Sequence, residues 1–474
     1  MTKYSRRTVL KAVAGLPVLG GYAWSQAPDS DSDLIDVDLE ARQQWTAVGG
    51  RSAYLHTFNG QVPGPLIQAK PGSRIRIRFR NNLPEETNLH YHGLHIPPGG
   101  NADNVFLPLP PGEEFLYEFD LPVDHPGGTF WYHPHLHGAA ARQVSRGLAG
   151  VFVVRSELDQ IPEIAAAPEF VLVLQDFALN ANGLPTEPAM MERATGREGD
   201  LITVSGLLQP SIPIQRSGWT RLRILNASSS RFYRLRLDEH SFQVISSDGG
   251  PLRSPEEVEE VLLVPGERLE VMIHGNRPEG RYRFLSLPYE RSAGVGMAMG
   301  PRAQQLLLAT VDYEGQAATS WNLPAALVDV EGLPEPSGQR IFQLGTGMGM
   351  TLTINGRTFL PDRIDTRVQL DAIEDWEILN LSTMDHPMHI HTNAFQVIGP
   401  DGLPQRAWKD VVNIPANGLV RLRIRFRDFA GTTVYHCHIL DHEDLGMMGV
   451  LEIDEAFSSL PSSQGRRRVR DRSR

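Results

Sequence analysis

Short runs in which apolar and polar residues alternate recur along the chain. "RIRIRFR" (74–80), "RLRIRFR" (421–427) and "VLVLQ" (171–175) read as strands with one face in a core and the other solvated. Prolines and glycines punctuate these runs at short spacing, and long helical periodicity is scarce. The runs fall into three segments that share one sketch. The first is "FNGQVPGPLIQAKPGSRIRIRFRNNLPEETNLHYHG" (58–93), and the third is "INGRTFLPDRIDTRVQLDAIEDWEILNLSTMDHPMHIH" (354–391). The second (204–249) ends in "SFQVISSDG", an echo of "AFQVIGPDG" (394–402) in the third. Closing parts repeat too: "GTFWYHPHLHG" (128–138) matches "GTTVYHCHILD" (431–441), and "GRYRFLSLPYE" (280–290) sits where the second unit closes. Repetition of this kind predicts an all-β chain of three tandem Greek-key sandwiches, over 34–155, 169–312 and 339–456. The stretches 156–168 and 313–338 read as linkers.

A chain of 474 residues is too long for one core, in agreement with that division. The net charge of −11 argues against nucleic acid as a partner, and the basic tail 457–474 is expected to be a solvated, disordered end. A single cysteine excludes an intrachain disulfide framework. "SRRTVLK" (5–11) precedes a brief apolar run (12–23), the layout of a secretory signal. Arg6 and Arg7, followed by Leu10 and Lys11, resemble a twin-arginine signal, with an ordinary secretory signal or anchor as the alternative. Cleavage after Ala23 or Ala27 would release a periplasmic or secreted protein, expected to be a monomer with no membrane span.

Ten of the sixteen histidines lie in four short motifs, "HYH" (90–92), "HPH" (133–135), "HPMHIH" (386–391) and "HCHILDH" (436–442). A lone histidine is more often a surface or satisfied core residue. Ten in repeat-equivalent positions are a metal-binding pattern. Side chains two apart share a face of a strand. His90 with His92, His133 with His135, His389 with His391, and His436 with His438 therefore present pairs to one side, while Cys437 points to the other. The Cys437 side collects His386 and His442, with Met447 placed to approach last. Two imidazoles, a thiolate and a weak thioether describe a blue-copper electron-transfer centre; zinc would accept the first three ligands but gains nothing from the adjacent eight-histidine cluster. Eight imidazoles, four from each end segment, suit copper that reduces dioxygen and are too many for one ion. The middle segment carries Tyr233, Arg236 and Asp238 opposite His386, His389 and His391, so it is expected to be structural and free of copper.

Together with "FNGQVPGPLI" (58–67) and "HCHILDHEDLGMM" (436–448), these motifs resemble a three-domain bacterial multicopper oxidase of the laccase and cuprous oxidase type. The resemblance implies cupredoxin-like sandwiches and four copper ions. His386, Cys437, His442 and Met447 would hold the type 1 copper, and His90 and His389 the type 2 copper. The type 3 pair would fall to His92, His133, His135, His391, His436 and His438. It also implies four one-electron oxidations of a donor coupled to reduction of dioxygen to water, with Glu443 and Asp103 serving proton delivery. His95 and His137 extend their motifs without being needed as ligands.

The donor is less well marked. Methionines gather at Met297, Met299, Met348, Met350 and Met384, and soft thioethers suit Cu(I). Ser382 stands where some cuprous oxidases carry an acidic residue, and no long methionine-rich insert is present. The candidate donors are Cu(I) and small phenols or other aromatics. Two further classes remain as alternatives: a copper-free structural or cell-division relative, which would lack the ligands retained here, and a periplasmic copper-binding protein, which would not need Cys437 between two histidines.

Overall fold

The computed structural model describes residues 33–155, 157–291, 304–313, 317–319, 321–346, 351–405 and 407–455. Three two-sheet sandwiches follow one another, and each sheet repeats a common order of four strands, extended at one edge in the second and third sandwiches. In the first, one sheet runs Arg51–Phe58, Leu34–Val48, Arg74–Asn82, Glu114–Asp120, and the other Gly64–Ala69, Gly150–Val154, Gly128–His133, His90–His92. The second sheet of the third sandwich runs Ile364–Gln369, Met448–Asp454, Gly431–Cys437, His386–Ile390, and adds Val411–Ile414 at its edge. The middle sandwich repeats that order with Ser211–Ile214, Leu306–Tyr313, Arg281–Leu287, Tyr233–Leu237 and Glu260–Leu263. Each sandwich contains a parallel pair in its first sheet: Leu34–Val48 with Arg74–Asn82, Glu169–Phe177 with Trp219–Asn226, and Gly338–Thr346 with Ile373–Asn380. Parallel neighbours need long connections, and these give the Greek-key path.

Alternation explains the outer sheets. Along Arg74–Asn82 the side chains of Ile75, Ile77 and Phe79 are fully buried, while the intervening arginines lie on the solvent side. Each buried apolar side chain contributes about 1.5–3 kcal/mol. The exposed cross-strand pairs, such as Arg74 with Asp120 and Arg78 with Asp38, are screened by solvent and add little. Burial sets the register; the ion pairs follow it.

The strands that carry histidines differ. Gly128–His133 and His386–Ile390 are buried at every residue, and Gly431–Cys437 is buried from Thr433 onward. A strand buried on both faces must be covered from outside its own sandwich. Here the middle sandwich covers much of the first: Trp131, Val151 and Val153 pack against Val171, Val173 and Leu225, while the histidines of the first and third sandwiches face one another. The equivalent middle strand, Arg281–Leu287, leaves Arg281 and Arg283 exposed.

The stretch 156–168 holds a 3₁₀ turn, Glu157–Gln160, and a short helix, Pro162–Ala165. In 321–338, Leu323, Leu327 and Val328 pack against buried Ile245 and Met272.

Candidate metal centres

Register dictates which side chains meet. His90 pairs with His133, and His389 with His436, while Met388 stands opposite Cys437. Because faces alternate, Cys437 and Met388 enter the core of the third sandwich, and His436 and His438 leave it toward the first.

On the core side, Cys437 Sγ lies 3.4 Å from His386 Nδ1 and 3.6 Å from His442 Nδ1. The three ligand atoms fall within 4.8 Å of one another and all three residues are buried. The far nitrogens fix the tautomers. His442 Nε2 donates to the carbonyl of Ala194 at 3.1 Å, leaving a lone pair on Nδ1. Ser382 Oγ donates to Asn380 Oδ1, so it accepts from His386 Nε2 at 2.8 Å and leaves His386 Nδ1 a lone pair as well. Met447 is buried in the same core, and its carbonyl accepts from Cys437 N at 3.0 Å. Burial pushes the Cys437 thiol well above its usual range, a penalty that a bound cation reverses by taking the thiolate as ligand.

On the other side, eight imidazoles converge from both end sandwiches. Ligand atoms of His92, His133 and His438 lie within 4.8 Å of one another, as do those of His135, His391 and His436, and those of His90, His92 and His389. Backbone acceptors again set the tautomers: His133 Nδ1 donates to the Pro134 carbonyl, His389 Nδ1 to that of Asp410, and His436 Nδ1 to that of Cys437. The Nε2 atoms of His90, His133 and His389, together with His92 Nδ1 and both nitrogens of His438, are buried with no hydrogen-bond partner. His436 Nε2, already a lone pair, faces His135 Nε2 at 3.0 Å and His391 Nε2 at 3.1 Å. Burial and the neighbouring rings hold these imidazoles neutral, with pKa values below the usual histidine range. Buried lone pairs facing one another without protons are costly unless cations sit among them. The donor set fits copper, as imidazole and thiolate ligands do.

Carboxylates surround this cluster. Asp103 accepts from His90 Nδ1 at 2.9 Å and from Tyr91 N, and burial pushes its carboxyl up to about 7. Glu443 is fully buried, 3.3 Å from His436 Nδ1 and 3.5 Å from His135 Nδ1; burial raises its pKa well above the usual value. Sequence reasoning missed Asp410, which accepts from His92 Nε2 through its carboxylate and from His389 Nδ1 through its carbonyl. Nothing in "WKDVV" (408–412) marks it, because its partners come from distant segments.

Four consecutive residues on the helix Leu440–Asp444 tie everything together. Asp441 receives Arg197 of the middle sandwich through its backbone N and its guanidinium, and Asp444 accepts from the backbone N of Gly138, Ala140 and Ala141 in the first. His442 and Glu443 lie between these clamps, one facing each metal centre. His95 bridges the first and third sandwiches through Thr392 O and Asp428, while His137 is exposed beside Phe359. Of the methionine set, Met384 is half-buried next to Ser382; Met297, Met299, Met348 and Met350 lie outside the described residues, as do the stretch 1–27 and the tail 457–474.

Family models described as multicopper oxidase match residues 40–159, 170–298 and 334–456. The multicopper oxidase mco of Staphylococcus haemolyticus is 30% identical over 407 residues, 84% of this chain and 83% of that protein. The cell division protein FtsP of Escherichia coli is 30% identical over 401 residues, covering 81% and 82%. Among solved structures, a Campylobacter jejuni multicopper oxidase described as a metallo-oxidase has a TM-score of 0.81 at 31% identity, over 94% of this chain and 95% of that one. A laccase-like multi-copper oxidase from Ochrobactrum sp., with oxidase activity towards lignin model compounds, has a TM-score of 0.77 at 27% identity, over 93% and 100%.

Proposed function

The chain belongs to the multicopper oxidase family as a three-domain bacterial member built of cupredoxin-like sandwiches, and from that premise we propose that it is a working oxidase. It would couple four one-electron oxidations of a phenolic or other aromatic donor, or of Cu(I), to reduction of dioxygen to water. The observation that carries this reading is the strand end His436-Cys437-His438. Its thiol meets His386 and His442 on one face, and its two imidazoles join the eight-histidine cluster on the other.

Four coppers are assigned. His386, Cys437 and His442, with Met447 as a weak fourth ligand, would hold the type 1 ion; His90 and His389 the type 2 ion; and the triads His92–His133–His438 and His135–His391–His436 the type 3 pair. When bound, copper supplies one-electron acceptance at the thiolate site and multi-electron delivery to dioxygen at the cluster. The chain does the rest. Cys437 offers a path of a few covalent bonds between the two centres through its neighbours. Ser382 and the Ala194 carbonyl hold the two imidazoles with Nδ1 toward the thiol. Asp103 orients His90, and its carboxyl is poised to hold or release a proton near neutral pH. Glu443, buried against His135 and His436, holds a proton beside the cluster. Burial of all eight imidazoles excludes bulk water from the place where oxygen is reduced.

The reading as a copper-free cell-division or structural protein draws on the likeness to FtsP. Against it stand the orphaned ring nitrogens, which a copper-free protein has no reason to bury. A simple copper carrier has no use for a thiol wired to a second centre. Export as a periplasmic or secreted monomer is part of the proposal.

Oxygen-uptake rates with Cu(I) and with a phenol, in the wild type and after replacing Met297, Met299, Met348 and Met350, test the donor. Cu(I) turnover that falls while phenol turnover holds marks a cuprous oxidase; unchanged Cu(I) turnover removes the methionine site. Absence of oxygen uptake with either donor in copper-loaded protein would overturn the oxidase reading.

A further inference from the structure

We propose that Arg268, supplied by the middle sandwich, is a positioning residue for the eight-histidine cluster; this rests on the reading that the cluster holds copper. Among the described residues the middle sandwich supplies no imidazole to the cluster, yet its turn at 264–268 reaches it. The Arg268 side chain is fully buried. Its guanidinium has five N–H groups and five acceptors. Nε donates to the Thr129 carbonyl at 2.9 Å. Nη1 donates to the Gly266 carbonyl at 3.0 Å and to Asp410 Oδ1 at 2.7 Å. Nη2 donates to the Asp248 carbonyl at 2.9 Å and to Asp410 Oδ2 at 2.5 Å.

Those acceptors lead to three ligands. Thr129 lies on Gly128–His133, the strand that ends in His133. Asp410 holds His92 Nε2 at 2.9 Å through the carboxylate oxygen that Arg268 Nη1 also touches, and its carbonyl holds His389 Nδ1 at 2.8 Å. One guanidinium therefore sets the tautomer and aim of His92, from the first sandwich, and fixes the Asp410 segment that aims His389, from the third. The neighbouring Asp248 carboxylate is met by Lys409 at 3.0 Å, which leaves the Arg268 fork to Asp410.

Two glycines support the arrangement. Gly93, immediately after His92, has φ +85°, and a Cβ there would stand 2.3 Å from Arg268 Nη2 and 2.5 Å from Asp410 Oδ2. Gly266 has φ +86°, and a Cβ there would press on the His438 ring at 2.9 Å. Backbone of the first and middle sandwiches is thus thinned where the Arg268–Asp410 pair passes between the imidazoles. A lysine, with three rotatable donors and no planar fork, cannot reproduce the five contacts.

Arg268→Gln and Arg268→Lys, each loaded with copper in the full-length chain, test this. The expected result is retention of the blue Cys437 colour with an altered or missing paramagnetic resonance signal from the mononuclear cluster copper. Cluster copper should be retained about 10–100-fold more weakly against a chelator, with Arg268→Lys less affected than Arg268→Gln. A folded Arg268→Gln protein with wild-type cluster copper and an unchanged signal would overturn the proposal. So would loss of the blue centre in step with the cluster, or global unfolding of both variants, since either assigns Arg268 to the fold alone. If the wild-type protein itself takes up no cluster copper, the copper reading fails before Arg268 is at issue.

Discussion

Cys437 shows how far a single position can be read. Spacing and strand parity assign it and its neighbours to opposite faces, and the structure sets its sulfur against His386 and His442 while His436 and His438 join the cluster. Cys437→Ser should give a folded protein that is colourless and inactive after copper loading, as read by visible absorption and oxygen uptake. A blue, active Cys437→Ser protein would remove the link between the centres. Glu443→Gln keeps the shape of a buried carboxyl but not its proton. Turnover should fall about 10²-fold, the usual scale for loss of a positioned acid, while the blue colour and its bleaching by donor without oxygen persist. The clustering of the histidines was legible because their motifs repeat at short spacing. Asp410 and Arg268 were not, because what they do depends on partners in other sandwiches: His92 for the one and Asp410 for the other.

Among the elements, the outer strands were legible from alternation, since Ile75, Ile77 and Phe79 fall on one face and the arginines on the other. The histidine-bearing strands were harder. They are buried on both faces, so no polar face announces their edges, and only the histidines and flanking glycines mark them. The helix Leu440–Asp444 gave no periodic signal at five residues, yet its ends clamp the third sandwich to both others. Asp444→Ala removes the acceptor for three backbone N–H groups at the start of the helix Ala140–Ser145, and should cost about 0.5–2 kcal/mol, seen as a lower denaturation midpoint. Because His442 and Glu443 sit between the clamps, the same variant should also broaden the spectrum of the blue centre; a midpoint and spectrum like the wild type would show the clamp to be idle.

At the scale of the whole molecule, the threefold repeat was visible in the sequence, and the repeated sheet order is its physical form. The histidines pointed to the seam between the first and third sandwiches, but the contacts of the middle sandwich were not visible, because a repeat describes each sandwich alone. Burial across the molecule also predicts how stability responds to pH. His56 and His125 lie away from the clusters, and burial lowers their pKa to about 3 and about 4 from an unfolded value of 6.5. Between those limits the unfolded chain binds more protons than the folded one, so stability falls as pH drops below 6.5 and the loss levels off near the folded values. Each group should cost roughly 2 kcal/mol between pH 7 and 5. Urea midpoints of metal-free protein should fall accordingly, and the fall should be smaller in His56→Gln. A midpoint independent of pH over that range would mean that these imidazoles are not buried neutral.

The most direct test of the account is diffraction at the copper absorption edge from crystals of the copper-loaded protein. One anomalous peak should lie against Cys437 Sγ between His386 and His442, and three more among the eight imidazoles where the first and third sandwiches face each other. Strong copper peaks elsewhere, with the Cys437 sulfur bare or the imidazoles empty, would contradict it.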